Sequence, residues 1–190
     1  MNAEDDYQNT LTNTLRKIGR NLLNYQRVEM LWKSQINISD VTVEIINGEA
    51  VVRQKKSSTR PQPMGWLAEN HRKLLFSKFP EQDTKVNPET ISITTSFRIE
   101  DVTLSSDRRK DILILVQERN ILVHLLAETF DHTSKNDCIR LCAELDQQNA
   151  RIIHEIEFLN NISKSFQDEI KEITKYLESE SFINDISQNF

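Results

Sequence analysis

The sequence predicts a mainly α-helical fold: a helical bundle with long first, central and last helices and a small inserted β element. Three observations carry that reading. Apolar residues recur at helical spacing through three long stretches. Only 3 Gly and 4 Pro punctuate 190 residues, too few for the turns of an all-β chain. Between residues 36 and 100 the pattern changes twice to strict alternation, the mark of a half-buried strand. The length suits one domain, residues 1–190, with a sizeable core.

The first helix is predicted over residues 4–34. Leu11, Leu15, Ile18, Leu22, Tyr25 and Trp32 recur near helical spacing, with Leu23 and Leu31 widening the stripe. Arg16, Lys17, Arg20 and Arg27 occupy the remaining surface, as a solvated basic face or as one that meets RNA. Ile36, Ile38, Val41, Val43 and Ile45 then alternate with polar residues, as a strand does. Asn47-Gly48 is a turn signal, after which Ala50-Val51-Val52 reads as a returning strand or the start of a helix.

Arg53, Lys55, Lys56 and Arg60 form a basic run that ends at Pro61 and Pro63. Its Ser57-Ser58-Thr59 content predicts a loop, and these four cations are the candidate RNA-binding residues. A second helix is predicted over residues 64–79, with Trp66, Leu67, Leu74, Leu75 and Phe76 apolar and Pro80 as its stop. His71 within it reads as a surface or packing residue, because no acidic or Cys partner lies close in sequence. Residues 81–89 read as a loop. Ile91, Ile93, Thr95, Phe97 and Ile99 alternate again and predict a strand able to pair with the earlier one.

The central helix is predicted over residues 104–130, with N-cap candidates in residues 101–106. Ile112, Leu113, Ile114, Leu115, Val116, Ile121, Leu122, Val123, Leu125 and Leu126 make it oily nearly all round, which predicts a buried helix. Arg119, Asn120 and His124 interrupt it. Asn120 and His124 are four apart and share a face, and Arg119 lies about 100° round, within reach of it. Such polar groups need partners or a polar cleft. Residues 131–134 read as a tight connection with Ser134 as N-cap, and His132 there is placed to assist a site. The last helix is predicted over residues 136–177, too long for a compact bundle. It must kink near Asn160-Asn161 or pack its far end on a second subunit.

Arg119-Asn120-Ile121-Leu122-Val123-His124 resembles the signature of the HEPN superfamily, in which an Arg, usually followed by a polar residue, precedes a His by four to six positions on a helix of a helical bundle. The resemblance covers roughly residues 104–178. It implies a metal-independent endoribonuclease that leaves 2',3'-cyclic phosphate and 5'-OH ends. It also implies a homodimer in which two motifs face one cleft, and service as a toxin or phage-defence effector. The catalytic residues would be Arg119, Asn120 and His124, with RNA as substrate, no cofactor and no metal. A cognate inhibitor or other protein partner fits the same resemblance.

The residue chemistry agrees with that expectation. An imidazole moves protons near neutral pH. A guanidinium holds two phosphate oxygens while staying charged. An amide orients the ring or donates to phosphate. The alternative is a non-catalytic HEPN-like interaction or regulatory subunit, in which the three residues bond across an interface.

Other classes fit poorly. The net charge of -5 argues against a generic polyanion binder, so nucleic acid would need a local basic patch. No glycine-rich phosphate loop is present. Cys138 and Cys142, four apart on one helix, read as reduced small apolar residues of a cytoplasmic protein. The acidic N-terminus is unlike a signal peptide, and no apolar run suggests a membrane helix.

Overall fold

The computed structural model describes residues 3–38, 40–46, 49–54, 62–76, 90–96, 102–177 and 179–182. In chain order these form α1 (Ala3–Ile38), β1 (Asp40–Ile46), β2 (Glu49–Gln54), α2 (Met64–Phe76), β3 (Thr90–Ser96), α3 (Val102–Asn120), a π-helical turn (Ile121–Leu125), α4 (Leu126–Thr129) and α5 (Lys135–Leu177). The fold is mainly α, a helical bundle.

Its spine is the pair α1 and α5. On α1, Thr14, Asn21, Val28 and Gln35 are buried at intervals of seven, with Tyr25 and Trp32 falling between them. On α5, Cys138, Leu145, Ile152, Leu159 and Phe166 repeat the same interval. Two helices with that repeat meet along a continuous seam. The seam is parallel. Thr14 meets Cys138, Asn21 meets Leu145 and Gln35 meets Leu159, so partners keep a near-constant sequence offset.

The seam is partly polar, and its polar members are answered. The Thr14 hydroxyl donates to the Cys138 carbonyl at 3.2 Å, and Asn21 Nδ2 to the Leu145 carbonyl at 2.8 Å. Gln35 Nε2 donates to the Leu159 carbonyl at 2.7 Å and to Ser163 Oγ at 3.0 Å. Satisfied in this way, buried amides and hydroxyls avoid the desolvation penalty of unpaired ones, about 1–3 kcal/mol each.

α3 runs back against α5, with Arg108 opposite Glu155 and Glu118 opposite Arg151. α2 fills the space over α1 and α3 through Met64, Leu67 and Ala68, which join Ile112, Leu115 and Leu122 in the main core. Leu75, Ile162 and Phe166 make a second, smaller cluster. The strands form one antiparallel sheet in the order β2-β1-β3. Val43 pairs with Val52 on one side and with Ile93 on the other. Ser134 caps α5, its hydroxyl accepting the Asp137 amide at 3.3 Å.

Several expectations are corrected. α1 continues to Ile38, so Ile36 and Ile38 belong to a helix and not to a strand. Gln35 explains this, because its buried bonds to α5 keep the last turns helical. Leu15 and Leu23 face solvent, 53% and 67% exposed, and polar Thr14 and Asn21 take the buried places instead. Trp66 also faces outward. α5 is one continuous helix through Asn160-Asn161, 43 residues long, about 65 Å at 1.5 Å per residue. None of its residues after Phe166 is buried, so its last turns stand clear of the core.

The largest correction concerns α3 and its continuation. Among the described side chains there, only Arg108, Ile112, Leu115 and Leu122 are buried. Leu113, Ile114, Ile121, Val123 and Leu125 are 42–52% exposed. The helix is apolar on two opposite faces, one turned to the core and one to solvent.

Candidate functional site

Arg119, Asn120 and His124 lie where α3 gives way to the π turn. A π turn closes i→i+5 bonds in place of i→i+4, so it inserts a residue and shifts the phase of the helix beyond it. The expected partner of His124 on a regular helix is Asn120, four back. Here the ring meets Arg119, five back: Arg119 Nη1 lies 3.4 Å from His124 Nε2. The same Nη1 donates to Asn120 Oδ1 at 3.3 Å. The three predicted residues are therefore brought together, with Arg119 as the hub.

A guanidinium nitrogen has only hydrogens to offer. His124 Nε2 must then present its lone pair, and the ring proton sits on Nδ1. With its Nε2 lone pair turned to a permanent cation, the imidazole shares one exposed site with a group that can hold an anion.

Sequence reading missed the fourth member. Glu29, on α1, holds Arg119 Nε at 3.3 Å, with both side chains mostly covered (25% and 19% exposed). It orients the guanidinium while Nη1 reaches the imidazole. Nothing local in sequence marks it, since it lies ninety residues upstream. Glu118 faces the other way. It pairs with Arg151 of α5 and accepts a bond from the Tyr25 hydroxyl. Burial, then the nearby Glu118 charge, pushes the Tyr25 phenol far above its ordinary range, so it stays a donor. Thus neighbouring residues of α3 anchor the motif helix to both α1 and α5.

His124 and Asn120 are exposed, and the apolar side chains beside them, Ile121, Val123 and Leu125, are 44–48% exposed. The motif opens at the surface, in an apolar setting.

The other candidates lie elsewhere. His132 sits in the turn before α5, where its carbonyl accepts the Tyr7 hydroxyl at 2.7 Å, and no described contact links it to the motif. Arg53 is in β2, opposite Thr42, and not in a loop. Lys55, Lys56 and Arg60 fall outside the described residues, as do Phe97 and Ile99. Among the described residues, no group of three or more His, Cys, Asp or Glu could hold a metal ion. Both cysteines are free, and burial raises the Cys138 thiol. No described helix is long and apolar enough to cross a membrane.

A second polar cluster lies inside the bundle. Arg108 grips Glu155 with two bonds, 2.5 and 2.7 Å, and stacks 3.9 Å over the Phe158 ring. Trp32 Nε1 donates to the same carboxylate at 3.1 Å. His71 lies against Trp32, ring centroids 6.1 Å apart, with Nε2 2.5 Å from Gln35 Oε1. Because the Gln35 amide nitrogen is committed to α5, its oxygen faces His71, whose Nε2 carries the proton. Burial, reinforced by the Arg108 charge, pushes the imidazole down to about 3. His71 is thus a neutral packing residue, as its sequence setting suggests. The cluster ties α1, α2, α3 and α5 together.

Family models, curated proteins and solved structures give no match to this chain.

Proposed function

We propose that the protein is a HEPN-type, metal-independent endoribonuclease that works as a homodimer and serves as a toxin or phage-defence effector. The observation that carries this reading is the contact between Arg119 Nη1 and His124 Nε2 at an exposed π turn. π turns concentrate at functional sites, where the extra residue re-aims a side chain. In the proposed reaction Arg119 Nη1 turns from His124 to the phosphate, His124 Nε2, so freed, accepts the ribose 2'-OH proton, and the 2'-oxygen attacks the adjacent phosphorus. Arg119 stabilises the charge on the phosphoryl oxygens, and the 5'-oxygen leaves with a proton from a second His124. The products are a 2',3'-cyclic phosphate and a 5'-OH. One chain holds one such histidine, so a second copy completes the site. The outward apolar side chains around the motif supply the surface for it.

Arg119→Ala and His124→Ala should each reduce RNA cleavage strongly. The proton-transfer group is worth roughly 10²–10⁴-fold in rate. Loss of the charge-stabilising group should cost about 3–4 kcal/mol in the barrier. Asn120→Ala should cost less, and a chelator should change nothing. The same proteins are to be melted: exposed His124 and Asn120 can be removed without loss of stability, whereas Arg119→Ala also strips Glu29 of its partner. A parent chain that never cuts RNA, with variants that lose stability or dissociate, would support a non-catalytic interaction subunit. The Glu29 anchor on Arg119 is the feature that favours that second reading.

A further inference from the structure

The most exposed apolar side chains of α1 lie outside the core. Leu23 and Met30 are 67% and 65% exposed, and Leu15 is 53% exposed. Their spacing places them on one outward stripe of α1, with Gly19 between Leu15 and Leu23. A Cβ added to Gly19 would meet nothing within 4 Å, so the core does not require glycine there. Glycine inside a helix costs stability, and it suits a place where another helix comes close.

One flank of the stripe is basic. Arg16, Arg20 and Arg27 follow it along the helix, with Lys33 near its far end. Between Asp6 and Glu29 the chain contains no acidic residue. Arg20 reaches Asp146 of α5 at 3.2 Å, beside Lys17 at 2.5 Å. Arg16 and Arg27 are exposed.

We propose that this face of α1 docks an acidic amphipathic helix of a second protein, its apolar side laid on Leu15, Gly19, Leu23 and Met30 and its carboxylates on Arg16 and Arg27. The charges decide among occupants. A second copy of α1 packed antiparallel would bring both arginine flanks to the same side of the seam, where like charges repel. RNA would need cations and stacking rings at the centre of the face, and the centre is aliphatic. An acidic helix satisfies both the apolar stripe and its rim. The proposal does not depend on the ribonuclease reading.

The test uses the intact chain and a labelled synthetic helical peptide with leucine along one side and glutamate on its flanks. Fluorescence anisotropy should show saturable binding that weakens with added salt. Leu23→Glu combined with Met30→Glu should weaken it at least about tenfold, a loss of one decade in Kd. Arg27→Glu, which leaves the apolar stripe intact, should weaken it as well. Circular dichroism should give the parent's melting curve for these surface variants. No binding of the acidic peptide overturns the proposal, and so does equal binding of a peptide with lysine flanks. Self-association or single-stranded RNA binding by the parent that the double variant loses would assign the face to a second copy or to RNA, and would overturn it too.

Discussion

His71 and Arg108 show what the interior demands of single residues. The His71 ring is held neutral by burial, pushed down to about 3 from the ordinary value of 6.5. In the unfolded chain it titrates near the ordinary value. Between pH 6.5 and 3 the unfolded state therefore binds a proton that the folded state refuses, and stability falls as the pH drops through that window. The limiting slope from this one group is about 1.4 kcal/mol per pH unit. Urea unfolding at about pH 7 and about pH 5 should show the loss, and His71→Leu should flatten it even if it lowers stability throughout. Glu155→Ala should be more severe, about 3–5 kcal/mol, because it strands Arg108 among apolar neighbours. A shift of the urea midpoint at constant slope would measure it. At this scale the sequence is legible only where partners are local. The motif residues stand out by their spacing, whereas Glu29 and Glu155 look like any surface glutamate until the fold brings their arginines to them.

Among the elements, α1 shows why periodicity is right in outline and wrong in detail. Helix is legible because apolar side chains recur. The buried stripe is not, because Thr14, Asn21 and Gln35 belong to it and count as polar. Backbone acceptors on α5 make them acceptable inside, and those acceptors leave no mark in sequence. Hydropathy alone therefore turns Leu15 and Leu23 inward. Gly19 gives a direct check on the corrected phase. With open space at its Cβ position, Gly19→Ala should stabilise the chain by up to about 1 kcal/mol in thermal or urea unfolding. A loss of stability would mean that this side of α1 is packed. The π turn is likewise illegible. Nothing in Ile121–Leu125 announces an extra residue per turn, so a regular helix is the natural expectation and Asn120 the natural partner for His124.

For the molecule as a whole, the oily character of α3 is legible but its meaning is not. Apolar composition on two faces fits both a buried helix and one face in the core with another awaiting a partner. On the proposed homodimer, Ile121→Glu and Val123→Glu together should yield monomers by light scattering. The core should be untouched, since both side chains point outward, and cleavage should fall with dimerisation. A parent that scatters as a monomer at micromolar concentration would remove both the dimer and the shared catalytic site.

The parallel seam also bears on how the protein comes into being. Bonds across it join residues 123 to 129 positions apart, as between Trp32 and Glu155 or Lys17 and Asp146. Contacts so distant along the chain make for slow folding. During translation α1 leaves the ribosome well before α5, and its half of the seam stays unpaired until α5 emerges. Arg119 and His124 are synthesised before α5, the helix that locks their own into place. Whatever this surface does, it does only in a finished chain, and a ribosome stalled before α5 would release a product without its spine.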